Sequence, residues 1–191
     1  MADLLSHALL AHIVGRGRTA ESVLPWLLTG SLLPDLVSPA PRHLLRLVAP
    51  RVGWSITDQG PLDVVFEGLL ALHSPFPLLA LTAALALALP ARLVRPPGRW
   101  AVFGWTSLGC ALHLLVDVTQ RHPRPGYRLL YPFDDTAWEL GWVTRDASLW
   151  ALPVLFALSL LVERRFRKRR AAPDAGDGPA ITSPPTQRDE A

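Results

Sequence analysis

The sequence predicts an all-α, polytopic membrane protein of about four to five helices, with a His/Asp metal site at their non-cytoplasmic ends. Three observations point there. Half of the 191 residues are apolar and the mean hydropathy is +0.25, high for a soluble domain. The apolar stretches are longer than strands and are separated by segments rich in proline and arginine. Residues 68–91 contain no Asp, Glu, Lys or Arg, enough chain to cross a hydrocarbon core. Residues 1–166 read as one helical, membrane-embedded unit, and 167–191 as a basic and then disordered cytoplasmic tail.

Each element has its own signal. Residues 4–15 form a short apolar helix with Ser6 and His7 near its start. Residues 22–33 form a second, after Gly15-Arg-Gly-Arg18. Residues 39–54 carry Arg42, His43, Arg46 and Arg51 and read as an interfacial or loop segment. Within 68–91, Pro75 and Pro77 open the main helix and Pro90 ends it. Residues 100–119 form the next helix, and 147–162 the last apolar one, with Trp150 placed for interfacial anchoring. The block Arg164, Arg165, Arg167, Lys168, Arg169, Arg170 follows directly.

Charge sets the orientation. With spans at 20–35, 75–91, 100–118 and 147–163, the short connections and the tail on one side hold twelve basic residues, against seven in the longer loops opposite. The positive-inside rule makes the first side cytoplasmic, including the C-terminus. The segment Met1–His7 has no positive n-region, so no cleavable signal peptide is expected. The net charge of +3 comes largely from the block at 164–170, and no nucleic-acid-binding pattern is present. Cys110 is the sole cysteine, which excludes an intramolecular disulfide and a cysteine-based zinc site.

The chemistry starts from His113 and Asp117. They lie four residues apart in an apolar helix without other charges from 100 to 116, so both side chains share one face. A divalent metal is one reading; a buried His–Asp hydrogen bond is the other. Asp35, in Leu33-Pro-Asp35, is a ligand or a turn cap. His73, before Ser74-Pro75, is a ligand or an interfacial cap. In the topology above, Asp35, His73, His113 and Asp117 all fall at one end of their helices. His7 shares a helix face with Asp3, His12 lies elsewhere on that helix, and His122 follows the His113 helix closely. Asp134 and Asp135 complete a metal shell or are solvated. Arg121, Arg124 and Arg128 hold a phosphate or are loop charges.

The succession His7, Leu33-Pro-Asp35, His73-Ser74, Leu112-His-Leu-Leu-Val-Asp117 with Thr119, Gly126 and Leu130-Tyr-Pro132 resembles the YdjM-type family. These are membrane-bound, metal-dependent hydrolases, in one branch LexA-regulated and associated with the inner membrane. The resemblance covers residues 1–165 and implies that His7, Asp35, His73, His113 and Asp117 are metal ligands. A remoter similarity to helical zinc-dependent phospholipase C rests on the His-x-x-x-Asp helix. One departure stands out. Where many relatives carry a further histidine before His-Ser, this chain has Glu67-Gly-Leu-Leu-Ala-Leu-His73-Ser.

The resulting expectation is hydrolysis assisted by zinc, or by manganese, at the outer membrane interface. Asp35 or Glu67 would be the general base, and a lipid or a lipid-linked phosphoester the substrate. Two alternatives are a non-catalytic membrane scaffold with a structural His–Asp pair, and an ion pathway.

Overall fold

Prolines decide where the helices start. Pro25, Pro39 and Pro75 each stand in the first positions of a helix, where the missing N–H costs nothing. The computed structural model describes residues 4–16, 21–52, 61–121 and 126–171. Its elements are α1 (Leu4–Arg16), α2 (Leu24–Val37), α3 (Pro39–Val48), a 3-10 turn (Ala49–Val52), α4 (Pro61–Ala71), α5 (Pro75–Ala88), α6 (Ala91–Val94), α7 (Arg99–Thr119) and α8 (Arg145–Ala171). Among the described residues there is no β-strand, only the isolated bridges Gln120–Val143 and Tyr127–Trp138. The all-α expectation matches this architecture.

The count and the spans differ from expectation. In the uncharged stretch 68–91 the main helix starts at Pro75 and ends before Pro90, as expected. Before it, the chain leaves α4 after Ala71 and turns through hydrogen bonds from the His73 and Ser74 amides to the Leu70 and Ala71 carbonyls. The amide-less prolines at 75 and 77 cannot continue an upstream helix. Fourteen residues remain in α5, about 21 Å against a hydrocarbon core of about 30 Å. Among the described residues, α7 alone is both long and apolar enough to cross a bilayer. The segment 39–54 folds into α3 and the 3-10 turn, and α8 runs on through the basic block to Ala171.

The bundle is built on the crossing of α2 and α7. Thr106, Gly109, Cys110, His113 and Asp117 are all buried on α7, at spacings that return to one face. Leu27, Gly30, Ser31 and Pro34 do the same on α2. A Cβ at Gly30 would run into the Thr106 backbone, and one at Gly109 into Leu27, Gly30 and Ser31 backbone atoms. The two main chains therefore touch, as small residues permit.

Helix α5 covers another side of α7. Leu78 packs with Cys110 and Leu114, Ala86 with Val94 and Val102, and Thr82 hydrogen-bonds Ser107 at 2.9 Å. The Arg99 guanidinium donates to the carbonyls of Ala86 and Leu87 at 2.6 Å, capping the end of α5. Gly98, at φ 97°, makes the left-handed turn into α7.

Helix α8 lies along α1. Ser159 meets His12 at 2.8 Å, and Arg16 grips Glu163 at 2.7 and 3.2 Å. Outward faces stay apolar: Leu79, Leu87, Leu115, Trp150, Val154 and Leu161 are exposed. Such surface fits lipid better than water.

These contacts separate two glycines of α7. Gly109→Ala is expected to destabilise by about 1–3 kcal/mol, since its methyl meets backbone that cannot retreat. Gly104 has open space around it, so Gly104→Ala should be neutral or gain about 0.5–1 kcal/mol in helix propensity. Thermal unfolding in detergent checks both. Equal midpoints for the two variants would contradict the close crossing.

Candidate metal centre

Three helices and one turn deliver the candidate ligands to one end of the bundle. His7 comes from the first turn of α1, Asp35 from the last turn of α2, His73 from the turn before α5, and His113 and Asp117 from the last two turns of α7. Asp117 is the hub. Its Oδ1 lies 3.3 Å from His7 Nε2. Its Oδ2 lies 2.9 Å from His73 Nε2 and 3.1 Å from His113 Nε2. Asp35 Oδ1 is 3.9 Å from His113 Nε2. The three imidazoles are 1–3% exposed and Asp117 4%; the Asp35 side chain, at 13%, reaches the rim. His7 and His113 stack with ring centres 3.7 Å apart.

The far ring nitrogens explain how the rings are aimed. His113 Nδ1 is 2.8 Å from the Ser31 carbonyl, and His73 Nδ1 is 3.3 Å from the Pro34 carbonyl. A carbonyl only accepts, so each Nδ1 donates to it and each Nε2 is turned towards Asp117, which His73 Nε2 hydrogen-bonds at 2.9 Å. Metal-binding histidines are oriented in this way, by an outer carbonyl on the second nitrogen.

The donor set fits a divalent cation. His113 Nε2 and both ring nitrogens of His7 are buried without a hydrogen-bond partner, although Asp117 is within 3.1–3.3 Å of the two Nε2 atoms. Unpaired polar atoms at that depth cost about 1–3 kcal/mol each. Neighbouring ligand atoms on a tetrahedral zinc stand about 3.3 Å apart, given bonds near 2.0 Å, close to the nitrogen–oxygen separations here. Charge agrees as well: two ionised carboxylates carry −2, which one divalent ion would cancel, since imidazoles ligate a metal in the neutral form. Among the described residues, two groups meet the geometric requirement for holding an ion, His7–Asp35–His113 and His73–His113–Asp117. His113 belongs to both.

Other candidates fall outside the cluster. Glu67 lies on α4, before the chain turns at residues 72–74. Its carboxylate is 62% exposed and pairs with Arg128 at 3.4 Å. Glu67, expected as ligand or base, is part of neither ligand group. Asp135 is also exposed and faces Arg128 at 3.6 Å. Asp134 accepts from the Thr136 hydroxyl and amide at 2.6 and 2.8 Å, which hold its carboxyl below the usual range. Arg121 and His43 are exposed. His12 is engaged with Ser159. Asp3, His122 and Arg124 lie outside the described residues.

One residue of the site was not singled out by the sequence. Tyr127 stacks on His73 with ring centres 5.1 Å apart and hydrogen-bonds Asp117. Burial first, and then the Asp117 charge, push its hydroxyl well above the usual range, so it remains a proton donor. Gly126 permits this placement, since a Cβ there would collide with the Trp138 backbone. The only sequence signal for Tyr127 was its position after a glycine in a loop near His113.

A sequence model of the family described as YdjM inner membrane protein matches residues 3–174. The chain belongs to that family. No curated protein and no solved structure gives a match.

The hub and the rim make different predictions for stability. Asp117→Ala strips three buried imidazoles of their common partner and should cost about 3–5 kcal/mol. Glu67→Ala removes an exposed pair and should cost less than about 1 kcal/mol. Denaturation midpoints of the two variants beside the parent decide this. Comparable losses would mean that Asp117 does not organise the centre.

Proposed function

We propose that this YdjM-family chain is a membrane-embedded, metal-dependent hydrolase acting on a phosphoester or lipid-linked substrate at the bilayer interface. The observation that carries the reading is the convergence of three imidazoles, two of them oriented by α2 carbonyls, on one buried carboxylate, with Nε2 atoms of His7 and His113 left without hydrogen bonds. His7, His73, His113 and Asp117 would hold the ion, with Asp35 completing the set or standing beside it. The imidazole-rich donors suit zinc first and manganese second. A bound ion supplies Lewis acidity towards a substrate oxygen.

The chain's own residues supply the rest. Asp35 is the least buried carboxylate of the cluster, so it is the one able to meet solvent and accept a proton from an attacking water. Tyr127, kept protonated beside Asp117, offers a hydrogen bond at the mouth. Arg128 stands in the same loop, at the surface. In a polytopic arrangement α7 would cross the bilayer with α1, α2 and α5 packed on it and α8 on α1, and the centre would lie at the outer interface. The basic end of α8 is then cytoplasmic. A scaffold or an ion pathway with a structural His–Asp pair gives no use to the His7 Nδ1 and Nε2 and the His113 Nε2, which make no hydrogen bond.

Elemental analysis of detergent-purified protein tests this directly. The parent and Glu67→Ala should carry near-stoichiometric zinc or manganese, and His113→Ala/Asp117→Ala should carry none. The parent should also cleave a phosphoester lipid in a chelator-sensitive manner. Folded, never-chelated parent without metal would end the hydrolase reading and leave a structural network.

A further inference from the structure

Beside the polar face of α7 lies an apolar one. Between it and α5 runs a cleft of about 350 Å³, within the range of small-molecule sites. Leu78 and Leu79 form one wall, and Ala111, Leu114 and Leu115 the other. The hydroxyl of Ser107 at its floor is bonded to Thr82 at 2.9 Å. A polar ligand therefore finds no waiting partner there.

Two features give the cleft a direction. At one end stand Pro75, Val118 and Leu129. Pro75 is two residues from His73, and Val118 is next to Asp117, so this end adjoins the candidate metal centre. Along its length Leu79 and Leu115 are 44% and 62% exposed, so the cleft opens sideways through apolar rims. An apolar groove that opens onto hydrocarbon and ends at a polar centre matches a molecule with an apolar chain and a polar head.

We propose that this cleft is a binding site for one acyl chain of a membrane lipid, with the head group delivered to the His/Asp centre. The assignment of the head group rests on the hydrolase reading; chain binding in the cleft does not. The match is between the occupant's length-wise polarity and that of the site. Hydrocarbon in the groove replaces contacts that the lining otherwise lacks, and fixing the chain confines the head group.

The test uses the full-length protein in phosphatidylglycerol vesicles containing a fraction of phosphatidylglycerol with a photoactivatable diazirine in one acyl chain. After irradiation, adducts are mapped by peptide mass spectrometry. They should concentrate on residues 75–79 and 111–118. Ala111→Phe, which fills the groove from its exposed side, should lower that labelling by about tenfold while metal content and unfolding midpoint stay at parental values. Leu115→Trp at the rim should act alike and covers the case in which Ala111→Phe fails to fold. Adducts spread evenly over outward positions such as Leu87, Val154 and Leu158 would overturn the proposal. So would unchanged labelling in both filled variants. His113→Ala that loses metal but keeps labelling in the cleft supports chain binding, and separates it from the fate of the hydrolase reading.

Discussion

The contact of the α2 and α7 backbones at Gly30 and Gly109 is the constraint from which the site follows. Without side chains at these two positions the helices approach until main chain meets main chain. One turn further along α7, His113 then finds the Ser31 carbonyl at 2.8 Å. That single bond sets the tautomer and the direction of the ring. His73 repeats the arrangement on the Pro34 carbonyl, so α2 orients two imidazoles through its backbone while contributing Asp35 through its side chain. A helix held further away could supply Asp35 but could not aim the rings.

Electrostatics explains why so many polar groups tolerate this depth. Asp117 is 4% exposed and would be costly alone. Three imidazoles and the Tyr127 hydroxyl surround it, and its charge is distributed over all of them. Hydrogen bonding accounts for only part of the set, because His7 and His113 approach the carboxylate without making a bond. In a network of this kind an incomplete pattern is expensive. These buried groups are arranged so that they could hold a metal ion among them.

Much of this was legible in the sequence, and the misses have physical causes. The i, i+4 spacing of His113 and Asp117 identified their shared face, because helical periodicity alone decides it. The all-helical class was readable from long apolar segments punctuated by proline. The prolines at 75 and 90 located α5, but hydropathy counts residues rather than helical turns, so the stretch 68–91 suggested more span than the fourteen residues of α5 provide. The contact of Glu67 with Arg128 was not legible, because it joins α4 to a distant loop. Tyr127 was hidden because a loop residue owes its position to distant partners, here His73 and Asp117. Gly30 and Gly109 looked like ordinary glycines, because only the partner helix reveals that a side chain has no room.

The length of α7 links the two sides of the proposed site to the membrane. Asp117 lies 18 residues beyond Arg99, about 27 Å along a helix axis, close to the thickness of a hydrocarbon core. A spanning α7 that keeps Arg99 at one interface therefore brings Asp117 to the other. On such a helix His113, one turn below, would lie just inside the hydrocarbon, and the cleft would run beside it from Val118 down to Ser107. Polar groups at the boundary and apolar ones alongside and beneath them would then follow the order in which a lipid presents its own head and chain. One helix would thus set depth, ligand geometry and groove together. Changing its length without moving Arg99 would shift the centre out of register with the opposite interface.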